Sequence, residues 1–175
     1  MMKKKNTRSE KSDKNLLKGI VAGAVGGLVA SFVMTEYQAL TSKISESDEK
    51  KKPQSKKDEP ANVKAAEMVS KNVFDHKLQK SEKEPAGDAM HYLMGGVSGA
   101  IYGATAEMTG MTTMGAGLPF GSAVWAIADD VVVPALGLSK SPTAYPFSTH
   151  AYALTSHWVY GLTTEMVRKA VRKVL

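Results

Sequence analysis

Long uncharged apolar runs alternate along the chain with short, densely charged ones. Gly19–Thr35 carries no charge, and Leu16–Glu36 covers about 30 Å as a helix, the thickness of a bilayer's hydrocarbon core. The run outlasts a signal-peptide h-region, so an uncleaved first span is expected rather than a leader. Further apolar runs occupy Ala89–Ala106, Thr109–Leu138 and Phe147–Val167. Pro119 and Pro134 predict a kinked or re-entrant course for the third. Between the first two runs, Ser45–Pro60 reads as a flexible mixed-charge linker. Ala61–Leu78 then has helical periodicity, with Val63, Ala66, Val69 and Val73 on one face, and its His76 is expected to be solvated.

The fold class that follows is all-α: a four-span helical membrane bundle with an amphipathic helix in the long loop between spans one and two. Its parts are a disordered, cytoplasmic basic tail (1–15), the first span (16–40), an extracytoplasmic linker and amphipathic helix (41–88), and spans two to four with a basic C-terminus (89–175). Spans two and four are near-twins. Both end in Tyr-Gly-x-Thr-x-Glu-Met, as Tyr102–Met108 and Tyr160–Met166, and both carry a histidine about four turns earlier, His91 and His150. Two such helices are expected to run in the same direction, side by side. Small residues recur every four positions at Gly19, Gly23, Gly27 and Ser31, at Gly95, Gly99 and Gly103, and at Gly117 and Gly121. That spacing puts each set on one helix face, where backbones approach closely. Three such stripes also suit a homo-oligomer.

Charge fixes an orientation. The formal net charge of +6 over 175 residues comes mainly from the two ends. Basic ends flanking apolar spans fit the positive-inside rule, with both termini cytoplasmic and the lipid bilayer as the main partner. Nucleic acid is not an expected partner, because no recognition motif accompanies the lysines. There is no cysteine, hence no disulfide, thiolate metal site or cysteine nucleophile.

The motifs Glu84–Gly103 (EPAGDAMHYLMGGVSGAIYG), Gly115–Ser139 (GAGLPFGSAVWAIADDVVVPALGLS) and Ser141–Arg168 (SPTAYPFSTHAYALTSHWVYGLTTEMVR) occur in that order. Together they resemble the YagU-like family of small bacterial inner-membrane proteins, over roughly residues 16–171 with 46–59 outside the likeness. The resemblance implies a multi-pass helical fold in the bacterial inner membrane and carries no established activity.

Depth selects the candidate chemistry. With the N-terminus inside, Glu36, His91, Asp129, Asp130 and His150 fall in one outer layer, and Glu107 and Glu165 in an inner one. His91 shares a helix face with Gly95, and Asp129 with Gly121, whereas Glu36 and Asp130 are displaced from those faces. His157 lies two turns below His150, on the stripe of Gly161. Ionisable groups within a span are costly and mark function. Two imidazoles with carboxylates suit a divalent metal such as Zn or Mn, or a proton-responsive site. Haem between His91 and His150, which would make a membrane oxidoreductase, is disfavoured because few large apolar residues are present to wrap a porphyrin. No serine sits in a strand–turn–helix elbow and no glycine run precedes Lys-Ser/Thr, so no catalytic residue is assigned. The expectation is a structural or stress-related membrane component without catalysis; the alternative is a proton- or divalent-metal-handling, transporter-like element.

Overall fold

The computed structural model describes residues 3–48 and 59–175, so most of the expected flexible linker lies outside the described residues. Helices α1 (Lys3–Asp48), α2 (Ala61–Phe74) and α3 (Lys80–Met108) are followed by a 3-10 segment, Gly110–Gly117. A broken third rod comprises α4 (Leu118–Val124), a π-helix (Trp125–Val132) and the short α5 (Val133–Ala135). A 3-10 turn at Pro142–Ala144 leads to α6 (Phe147–Val174). The described residues contain no strand.

Several boundaries differ from the sequence reading. The basic tail is helical from Lys3, not disordered, and α1 reaches Asp48. An apolar span nucleates the helix, and propagation into Lys-, Glu- and Ser-containing flanks is then nearly free. At the other extreme α2 stops at Phe74, short of Leu78, because Asp75 turns left-handed (φ 50°) and its helix closes there. The helix bearing the second apolar run starts early, at Lys80, where Gln79 and Glu82 form a reciprocal capping box and the Gln79 N–H donates to Glu82 at 2.6 Å. The third run begins with a kink at Met114–Ala116, and Pro119 opens α4 rather than ending it.

Helix α1 lies between α3 and α6 and packs on both. The glycines set the register with α3: a Cβ on Gly23 would overlap the Gly99 carbonyl oxygen, one on Gly27 that of Gly95, and one on Gly103 that of Gly19. The pairing is antiparallel, and any side chain there would drive the backbones apart. On its other side Gly26 approaches α6, with a Cβ position 2.7 Å from the Thr164 carbonyl oxygen. Tyr37 of α1 donates to Thr155 at 3.3 Å, near the far end of the same contact. Thus α3 and α6 do run in the same direction, both antiparallel to α1. They do not lie side by side, however; they meet through long side chains, such as the Tyr160 hydroxyl donating to the Gly95 carbonyl at 2.7 Å. The close α1–α3 seam takes up the face that a second twin would have needed.

The third rod packs mainly on α6, with Gly117 and Gly121 against the Gly161 and His157 carbonyls. Gly117 sits at φ +88°, a conformation that favours glycine. Between the elements Tyr102 stacks on Phe120 at 4.2 Å, and Phe120 tilts against Tyr160 at 5.7 Å. Outside the seams the surface is apolar: Phe32, Leu93, Ile101, Ile127 and Val131 are each more than half exposed. Among the described residues two helical stretches, Asn15–Lys43 and Thr113–Ala135, are long and apolar enough to cross a membrane. Beyond the bundle α2 folds back on the start of α3, with Val63 over Gly87. There Lys83 pairs with Glu59 at 3.0 Å and Glu67 at 2.5 Å, and His76 contacts Glu82 at 3.2 Å rather than standing alone.

Candidate functional site

The polar groups of the bundle collect where the third rod crosses α6. The π-segment carries the adjacent Asp129 and Asp130, and its wider turn lets both reach α6, a use of π-bulges common at functional sites. Asp129 Oδ2 lies 3.7 Å from His157 Nδ1, and Asp130 Oδ1 lies 3.6 Å from His150 Nδ1. The pairing follows from helix geometry. Side chains lean toward the N-terminus of their own helix, so those of two antiparallel helices lean toward one another.

Hydrogen bonds fix where the ring protons sit. His157 Nδ1 lies 2.9 Å from the Ala153 carbonyl, which only accepts, so Nδ1 carries the hydrogen and Nε2 the lone pair. In His150 the order is reversed. Nε2 is 2.9 Å from the Pro142 carbonyl and must donate, which leaves a lone pair on Nδ1 facing the Asp130 carboxylate. Two acceptors face each other until a proton is added. The Trp125 ring stands edge-on to His150 at 6.3 Å, and its indole N–H is buried without a hydrogen-bond partner, as is His91 Nε2 on α3.

The expected outer layer is therefore assembled differently from the sequence reading. Asp129, Asp130 and His150 come together at the α6 crossing, and His91 is within electrostatic reach of Asp129. His157, which depth placed two turns too deep, takes the position by Asp129 that the sequence reading had given to His91 and His150. Glu36 is exposed on α1. Among the described residues no three His, Asp or Glu side chains form a group able to hold a metal ion.

The layer expected to be the inner one is built from permanent charges. Glu165 is 1% exposed and takes two hydrogen bonds from Arg168, Nε at 2.7 Å and Nη2 at 3.1 Å, with Lys169 at 3.1 Å. The Arg168 guanidinium sits 5.8 Å over the Tyr102 ring. Glu107, its counterpart on the twin helix, takes Arg172 Nε at 2.7 Å and Nη2 at 3.3 Å, and the same guanidinium reaches Asn15 at 3.3 Å. Lys18 donates to the Leu175 carbonyl. All three long helices are tied together at this end. The partners of Glu165 could have been read from the sequence, because Arg168 and Lys169 stand three and four residues after it, whereas nothing in the spacing pairs Arg172 with Glu107.

No curated protein and no solved structure matches the chain. A family model covers residues 45–166, from the linker through the twin motif of α6, and by that match the chain belongs to the family described as Protein of unknown function (DUF1440).

Proposed function

We propose that this chain is a multi-pass membrane protein without catalysis whose outer His/Asp pairs bind protons and thereby set how tightly the third rod is held to α6. Four crossings, by α1, α3, the third rod and α6, fit their alternating directions and the apolar residues exposed between the seams. A bacterial inner-membrane setting with both termini inside agrees with the basic ends and with the likeness to YagU-like proteins. The role is that of a membrane component responding to acid, and proton handling is favoured over metal because the side chains pair off in twos.

One observation carries the proton reading: the His150 lone pair faces the Asp130 carboxylate at 3.6 Å. An added proton converts that contact from repulsion to an ion pair. Trp125, edge-on to the His150 ring, is a built-in reporter, because a protonated imidazole quenches a neighbouring indole. Detergent-solubilised protein titrated from pH ~8 to ~5 should lose Trp fluorescence, and His150→Ala should abolish most of that change. A flat wild-type titration would refute the proton reading. Recovery of the chain from cell extracts without detergent would refute the membrane reading.

A further inference from the structure

One face of α6 changes character along its length. Trp158, Leu162 and Met166 are spaced four residues apart and are 40%, 41% and 64% exposed. Lys169 and Lys173 continue the stripe, three and then four residues on, and both are exposed. Positions so spaced stack on one side of a helix. That side points away from the bundle, because the buried Ser156, Tyr160, Thr164 and Arg168 occupy the opposite one. The apolar part runs about 12 Å along the axis, and the two lysines are about 6 Å apart beyond it. Beside it, the junction of the 3-10 segment and α4 adds Met114 and Leu118, 67% and 41% exposed. Gly117, in that junction, lies against Gly161 of α6.

The two lysines stand at an end whose buried acids already have partners. Glu165 and Glu107 are matched there by Arg168 and Arg172. Lys169 also reaches Glu165, at 3.1 Å, but an ammonium has three donors. Lys173 follows one turn further out, and Lys18 of α1 reaches the same end, at the Leu175 carbonyl. Asp13 of α1, exposed a little over one turn from Lys18, opposes the three lysines, and a positive balance remains.

We propose that this face of α6 binds an anionic phospholipid, with the phosphate against Lys169 and Lys173 and an acyl chain along Met166, Leu162 and Trp158. The inference rests on the membrane reading. The order of the stripe, apolar and then cationic, is that of a lipid's tail and head, and lysine stems cover apolar surface while their ammonium groups extend to a headgroup. A zwitterionic headgroup brings a cation of its own to the lysines, so a net negative one such as phosphatidylglycerol is preferred. A second copy of the chain does not fit this face. Copies in one membrane share an orientation, so a two-fold pairing here sets each lysine beside its counterpart. The glycine faces that would draw in another helix are also filled, by the α1–α3 seam and by the third rod on α6.

Native mass spectrometry of the detergent-solubilised full chain, given equal phosphatidylglycerol and phosphatidylcholine, counts the lipid retained. Wild type should keep phosphatidylglycerol in preference. Lys173→Ala, which leaves the Glu165 bonds intact, should weaken that retention about five-fold, and Lys169→Ala/Lys173→Ala about thirty-fold. Lys71→Ala, on the exposed side of α2, should behave as wild type. Equal retention of the two lipids by wild type overturns the site, and so does undiminished retention by folded Lys173→Ala. An equal loss in Lys71→Ala overturns it too, since overall charge rather than this face would then be at work. Inorganic phosphate in large excess should not displace the lipid; displacement means a site for free anions and overturns the lipid assignment. A chain that enters phospholipid vesicles yet shows no preference loses this site alone, whereas one that fails to enter them overturns the membrane reading as well.

Discussion

The two polar layers hold the same kind of acid in opposite ways. At the α6 crossing Asp129 and Asp130 face imidazoles at 3.7 and 3.6 Å, beyond hydrogen-bond length, and an imidazole can be neutral or charged. In the inner layer Glu165 and Glu107 face guanidinium groups at 2.7 Å, each with a second hydrogen bond, and guanidinium keeps its charge at any pH the protein meets. One end of the bundle is thus a clasp that depends on pH, and the other a fixed knot. The difference also fits what each end must hold. Near Glu165 and Glu107 three long helices converge, whereas at the Asp129–Asp130 end the peripheral third rod rests mainly on α6.

The largest effect is expected from untying the knot. Arg168→Ala leaves Glu165 buried with only Lys169 and the Tyr102 hydroxyl, and should cost about 3 kcal/mol, the lower end for a buried charge stripped of its main partner. Thermal unfolding in detergent measures it. The double variant Glu165→Gln/Arg168→Met should recover most of the loss, since no bare charge remains. Arg172→Ala should cost less, about 1–2 kcal/mol, because the Glu107 and Arg172 side chains are 18% and 26% exposed and water replaces part of the bond. Neither cost should depend on whether it is measured at pH ~5 or ~8, as the partners are arginines.

The clasp should behave in the other way. Asp130→Asn removes a carboxylate that attracts His150 only when the ring is charged, so its cost should be near zero at pH ~8 and about 0.5–1 kcal/mol at pH ~5. Equal costs at both pH values would erase the contrast between the two layers.

Much of this arrangement was legible in the sequence, and the illegible part has a common cause. The four apolar runs all lie on helices, and the shared direction of the twins could be read from their matching motifs. The four-residue glycine period pointed to faces, though not to which face meets which. Depth counting assigned His91, His150 and the aspartates to one level as an expectation, yet it carries no information about direction around a helix. Glu36 therefore joined the list and lies exposed, and His157 was set aside although the lean of antiparallel side chains brings it to Asp129. The side-by-side packing of the twins failed for a similar reason: glycine stripes on α1 and α3 compete for the same seam. The π-turn at Asp129–Asp130 had no sequence signature, because an extra residue in a turn is set by the fit of the whole rod against α6.

The contrast sharpens further against a third set of charges, the hairpin of α2 and α3. Lys83 there bonds Glu67 at 2.5 Å and Glu59 at 3.0 Å, distances as short as those of the inner knot. The Lys83 hydrogen bond holds the Glu67 carboxyl below its ordinary range, against a smaller opposing effect of burial. A depressed carboxyl contributes stability above its unfolded pKa and loses it as pH falls through the folded value. The window therefore lies in acid below the ordinary carboxylate range. The Lys83 and Glu67 side chains are 30% and 31% exposed, however, so screening and side-chain entropy cancel much of the attraction. Glu67→Gln should leave the melting temperature of the bundle nearly unchanged and only raise hydrogen exchange at the amides of α2. A destabilisation as large as that of Arg168→Ala would mean that bond length, rather than exclusion of water, is what separates the knot from the clasp.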